Sequence, residues 1–115
     1  MTKIKEIKND IIYFENGYEL YSDHDQDCCE SHYLDFEHIE KSDYKDLEFD
    51  LSNNNFFTRI PDYGIQLNAT NNFPLRIPGY GSNNGYYSDN LTLILKDNFK
   101  EQKTFDITDC QVVND

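Results

Sequence analysis

Ile11-Ile12-Tyr13-Phe14-Glu15-Asn16-Gly17-Tyr18-Glu19-Leu20-Tyr21 sets two short runs of β-branched, aromatic and aliphatic residues on either side of Asn-Gly. Asn and Gly tolerate positive φ. The type I′ turn needs that at both central residues, and its twist matches the strands it joins. The stretch therefore predicts a β-hairpin. With Asn16 and Gly17 as its two turn residues, Tyr13 is expected opposite Leu20 and Ile12 opposite Tyr21.

Further strand patterns follow. Leu34, Phe36 and His38 alternate with Asp35 and Glu37, and Leu47, Phe49 and Leu51 alternate with acids, as half-buried strands do. Between them, residues 40–45 read as one helical turn with Ser42 as N-cap. Residues 22–31 read as a loop and residues 53–55 as a turn. Residues 56–60 form a short strand stopped by Pro61. Residues 64–68 and 73–77 make a second hairpin, which Pro74 places at an edge or a bulge. A Gly-, Asn- and Tyr-rich loop over residues 78–88 precedes two closing strands, 91–95 and 104–113. The last has apolar side chains on both faces and is expected to be central. Short strands at close spacing predict a mainly β fold. The expected form is a small antiparallel β-sandwich or partly open barrel, with at most one short helix, in one domain over residues 1–115.

The composition sets bounds. Mean hydropathy is low, −0.81, but 8 Phe and 9 Tyr supply the apolar area that disordered chains lack. No apolar run is long enough for a membrane span, and the first ten residues, where Lys3, Lys5 and Lys8 alternate with Ile4 and Ile7, lack the apolar core of a signal peptide. A cytoplasmic protein is the expectation. Three cysteines, two of them adjacent (Cys28 and Cys29), fit a reducing compartment, because an odd count closes no disulfide set.

The net charge of −12 is unevenly spread: residues 19–50 hold twelve carboxylates and only two bases, Lys41 and Lys45. A negative field repels phosphates, so direct nucleic-acid binding is not expected. It attracts basic protein surfaces and speeds encounter with them. The same charge also simply keeps a small domain soluble and monomeric. Asp35, Glu37, Glu40, Asp43, Asp46, Glu48 and Asp50 are the candidate partner-binding acids. Tyr86 and Tyr87 join them because tyrosines on a Gly/Asn loop offer contact area at small entropic cost. With Tyr80, they serve equally to cover an open barrel end.

One segment concentrates reactive groups: Asp23-His24-Asp25-Gln26-Asp27-Cys28-Cys29-Glu30-Ser31-His32. Imidazole and thiolate suit zinc, which makes His24, Cys28, Cys29 and His32 the candidate metal ligands, with Cys110 to complete a set. The spacing matches no ordinary zinc signature, and buried structural cysteines are the commoner case. A Cys–His nucleophile needs an electropositive setting to form thiolate, and the surrounding acids work against it. Asp23, Asp25 and Asp27 alternate as in a calcium loop, but Cys28 stands where an EF-hand requires Gly. No spacing selects a catalytic pair, and no enzymatic activity is expected.

Residues His24-Asp25-Gln26-Asp27-Cys28-Cys29-Glu30 and Asn84-Gly85-Tyr86-Tyr87-Ser88-Asp89-Asn90-Leu91-Thr92-Leu93 resemble, in the same order, two motifs of small uncharacterised proteins of phages and mobile elements. The resemblance implies a phage-type setting in a host cytoplasm and no specific activity. Together with the charge it gives an expected role, that of an inhibitor whose acids would occupy a basic nucleic-acid groove on a host defence enzyme such as a CRISPR nuclease. A metal-binding accessory domain is the alternative.

Overall fold

The computed structural model describes residues 1–23, 31–71, 73–82 and 91–114. Asn9 and Asp10 have φ of 53° and 62° and form the two-residue turn between β1 (Thr2–Lys8) and β2 (Ile11–Phe14), with Lys8 opposite Ile11. That is where the type I′ geometry sits. The Asn16-Gly17 hairpin is built differently: only Gly17 has positive φ, at 95°. Phe14 N–H donates to the Tyr18 carbonyl (2.9 Å) and Gly17 N–H to the Phe14 carbonyl (3.0 Å), so the loop has three residues, 15–17. A three-residue loop with a left-handed glycine shifts the pairing by one. Ile12 therefore faces Leu20 and Tyr13 faces Glu19 across β3 (Glu19–Asp23), which corrects the expected register. The shift matters because it places two fully buried side chains, Ile12 and Leu20, side by side on the inner face.

β3 pairs on its other side with β9 (Thr92–Lys96), Leu20 meeting Leu95 and Ser22 meeting Leu93. β10 (Gln102–Asp106) and β5 (Glu48–Phe49) complete a six-stranded antiparallel sheet in the order β10-β9-β3-β2-β1-β5. The second sheet runs β11-β8-β7-β6, with β4 also on β8: β6 (Phe57–Ile60), β7 (Gly64–Leu67), β8 (Leu75–Ser82), β4 (Ser31–Leu34) and β11 (Val112–Asn114). One α-helix, α1 (Lys41–Tyr44), and one 3₁₀ turn, Asn54–Phe56, are the helical elements among the described residues. The fold is mainly β, with a curled sheet closed by a smaller one.

The inner faces share one apolar core. Ile12, Leu20, Leu93, Ile65, Ile77 and Ile107 have no exposure, and each such side chain contributes about 1.5–3 kcal/mol. The edges are joined at two places. Phe105 of β10 packs edge-on against Phe56 (5.7 Å) and Phe57 (5.0 Å), while Arg59 Nε donates to the Asp106 carbonyl at 2.9 Å. On another side, Leu34 N–H donates to Ser22 Oγ at 3.0 Å, linking β4 to β3.

The structure corrects three further expectations. Residues 104–113 are not one central strand. β10 is the edge of the first sheet, and the chain then crosses to the second. Asp106 Oδ1 accepts from Thr108 N–H (3.0 Å) and Oγ1 (2.6 Å) at the corner, so Ile107 and Cys110 are apolar because they fill the core in the crossover. Residues 78–82 are strand rather than loop. Pro78 fits because β8 changes partners there: Gly64 of β7 is its register mate, and its carbonyl accepts from Asp35 N–H at 2.8 Å, beyond β4. The helix begins two residues earlier than a Ser42 cap implies. Glu40 is the N-cap, and its N–H donates to Asp43 Oδ2 at 2.9 Å.

Gly81 is required for space. A Cβ there would overlap His32 Nδ1 and Gln111 Oε1, which share a buried 2.8 Å hydrogen bond against it. Gly81→Ala is expected to destabilise the protein by about 3 kcal/mol, combining overpacking with a broken buried hydrogen bond, measured by urea unfolding.

The corner carboxylates give a pH dependence. Hydrogen bonds from Thr108 hold Asp106 below its ordinary value of 3.8, and hydrogen bonds from Ser52 do the same for Asp50. The unfolded chain then binds more protons than the native one. Their stabilisation is complete above the unfolded value and drains away as pH falls through the depressed native one. Asp106→Asn should flatten the decline of the urea midpoint between about pH 4 and pH 2. An unchanged slope would contradict this.

Candidate interaction surface

The acidic segment is laid along β1. Phe36 and Glu37 line a shallow depression with Ile7 and Asp10 at one end of that strand. At the other end, Phe49 pairs with Thr2 and Glu48 with Lys3. α1 packs against β1 between these points. The segment is held by apolar anchors: Phe36, Tyr44, Leu47, Phe49 and Leu51 are buried, and Phe49 meets Phe14 edge-on at 5.9 Å. Asn71 clamps it further, its Oδ1 accepting from Glu48 N–H (2.9 Å) and its Nδ2 donating to the Asp46 carbonyl (3.0 Å). With the apolar side chains turned inward, Glu37, Glu40, Asp43 and Asp46 are left exposed, and Asp35, Glu48 and Asp50 half-exposed.

Several of these acids also have local work. Asp35 Oδ1 accepts from Glu37 N–H at 2.9 Å, and its Oδ2 lies 3.4 Å from His38 Nδ1. Asp43 caps α1. Asp50 Oδ1 accepts from Ser52 Oγ at 2.6 Å; that bond, the Ser52 N–H and then the chain's amino terminus lower its pKa. Among the described residues, none of Glu37, Glu40, Asp43, Asp46, Glu48 and Asp50 forms an ion pair with a lysine or arginine. Glu19 is different. It lies across from Lys96 with Lys100 Nζ at 3.9 Å, so it stands apart from the acidic edge although it belongs to the acidic half of the sequence.

Asp10, which the sequence reading passed over, joins the edge. It shares a depression of about 260 Å³ with Tyr33, Asp35 and Glu37. The signal was Asn9-Asp10 after the alternating lysines and isoleucines, a two-residue turn returning β1 into β2. A crevice of similar volume at the barrel end touches Tyr18, Leu51 and Leu95. Both fall below the roughly 300–1,000 Å³ of small-molecule sites.

His24, Cys28, Cys29, Tyr86 and Tyr87 lie outside the described residues. His32 is on β4 with 2% exposure. Gln111 Nε2 donates to the Thr108 carbonyl at 2.7 Å, which turns Oε1 toward the ring. An amide oxygen only accepts, so His32 Nδ1 carries the proton in this pair. A ring fixed in this way suits a core histidine and a metal ligand equally. Among the described residues no group of three His, Cys, Asp or Glu side chains is arranged to hold a metal ion. No described helix is long and apolar enough to cross a membrane.

Comparison with known proteins returned no match to a family profile, a curated protein or a solved structure.

Cys110 has no exposure, and burial first, then the Asp109 carboxylate, push its thiol from 9.0 up to about 11. It is a neutral core thiol at neutral pH. At about pH 8 its thiolate fraction is lower by about a hundredfold, and iodoacetamide should leave it unmodified in the native protein while labelling it in urea. Rapid native labelling, read by peptide mass spectrometry, would refute this.

Proposed function

We propose that this chain is a non-enzymatic interaction protein whose acidic edge binds a basic surface of a partner protein. The observation that carries the reading is the combination along β1: apolar anchors fix the segment, and Glu37, Glu40, Asp43 and Asp46 face solvent with no lysine or arginine in ion-pair distance among the described residues, while Glu48 lies opposite Lys3. Carboxylates on a segment anchored against β1 by buried side chains are pre-organised, so binding loses little ordering entropy and the charge steers encounter. The surface chemistry resembles a row of phosphates. The target class is therefore a nucleic-acid-binding enzyme, and the acids occupy the groove that the nucleic acid would fill. The resemblance of residues 24–30 and 84–93 to phage and mobile-element motifs points to a host defence nuclease, such as a CRISPR enzyme, as that target.

The test is competition. A defence nuclease with bound fluorescent nucleic acid is titrated with the protein, and displacement is followed by anisotropy. Displacement should weaken steeply as salt rises. The variant Glu37→Gln/Asp46→Asn/Glu48→Gln leaves both members of the α1 capping box, Glu40 and Asp43, in place and should weaken binding about tenfold, on roughly 0.5 kcal/mol per charge. Displacement insensitive to both salt and these substitutions would overturn the reading.

A further inference from the structure

We infer that the outer face of β4 and β8, at the end of the acidic edge, is the docking point for an arginine-bearing segment of the partner protein. This deepens the acidic-edge reading and rests on it. Tyr33 of β4 is the register partner of Tyr80 on β8, and Tyr80 is the register partner of Val112 on β11. Side chains at matched positions of neighbouring strands share a face. Their sequence neighbours His32, Leu34 and Gln111 are buried, so the pleat turns Tyr33, Tyr80 and Val112 outward, where they are 46%, 36% and 42% exposed. The two rings are 6.0 Å apart at 48°. Single exposed apolar residues are ordinary, but three on adjacent strands make a continuous stripe.

What lies beside the stripe selects its occupant. Tyr33 is also a wall of the depression formed with Asp10, Asp35 and Glu37, so an aromatic face and three carboxylates border one small volume. The nearby lysine is turned to other work: Lys8 Nζ is 3.4 Å from Glu6 and 5.8 Å from the Tyr13 ring centre. His38 Nδ1 lies 3.4 Å from Asp35 Oδ2, and among the described residues no such partner stands against Asp10 or Glu37. A guanidinium is flat enough to stack on a phenol ring and carries a fork of donors that suits carboxylates. An ammonium does one or the other less well, being compact and strongly hydrated. The aliphatic stem of the arginine, or an apolar neighbour, then covers Tyr80 and Val112.

The test uses the full chain with a short arginine peptide and a lysine peptide of equal length, followed by backbone amide NMR. The arginine peptide should bind about fivefold more tightly, with the largest shifts at Asp10, Tyr33, Asp35, Glu37 and Tyr80. Tyr33→Ala/Tyr80→Ala should abolish the preference and leave a salt-dependent attraction, while Tyr33→Phe keeps it. If Tyr80→Ala costs folding, Tyr33→Ala/Glu37→Gln makes the same test with two exposed side chains. Equal affinity for both peptides, with shifts centred on residues 40–48, would overturn this site and leave the acidic edge standing. No binding of either peptide would overturn both.

Discussion

Strand β8 has more partners than a short strand ordinarily carries, and the rest of the molecule is arranged around how it meets them. Its first half pairs with β7; its second half pairs with β4 on an antiparallel register and with β11 on a parallel one. The exchange occurs at Pro78 and Gly79. A proline lacks the N–H that a continuous ladder would need, so it is tolerated where the ladder changes hands. Just beyond it, Gly81 leaves room for His32 and Gln111 to bond across its backbone. This one strand therefore fixes the depth of His32 and the outward direction of Tyr33, Tyr80 and Val112. It also fixes where residues 35–37 emerge to begin the acidic edge.

The acidic edge is a consequence of amphipathic packing more than of charge. Like charges along one segment repel, and nothing in them alone would hold the chain in place. Phe36, Tyr44, Leu47, Phe49 and Leu51 supply the anchoring, at about 1.5–3 kcal/mol for each side chain fully buried. Asp35, Asp43 and Asp50 also satisfy backbone or hydroxyl donors that turns would otherwise leave open. Exposed, charged residues beside the short β5 also suit an edge strand, since they discourage pairing with a second copy. Solubility and recognition draw on the same side chains.

The alternation of Leu47, Phe49 and Leu51 with acids was legible because a period of two survives wherever one face is buried, even though only Glu48–Phe49 pairs as strand. The hairpin at Asn16-Gly17 was legible as a hairpin, but not in register. Asn-Gly serves both a two-residue and a three-residue loop, and the burial of Ile12 beside Leu20 decides between them. Ile107 and Cys110 misled because burial on all sides looks the same in a central strand and in a core crossover. Gly79 and Gly81 suggested a loop, while their actual role is close approach inside a strand. Of the site, the run of acids could be read directly. Its union with Asp10 and Tyr33 could not, because that depends on the β1–β2 turn and β4 bordering one depression in the folded chain.

Inside the first sheet β3 pairs with β9, and four of the second sheet's five strands, β4, β6, β7 and β8, lie in the chain between Asp23 and Thr92. Local hairpins such as β1–β2, β2–β3 and β9–β10 form in microseconds, but joining them needs a long loop to close first. Assembly is therefore governed by topology and falls in the slow, millisecond-to-second class of β proteins. The acidic segment shares only the two residues of β5 with the β1 ladder, so its place depends on its buried side chains more than on strand pairing.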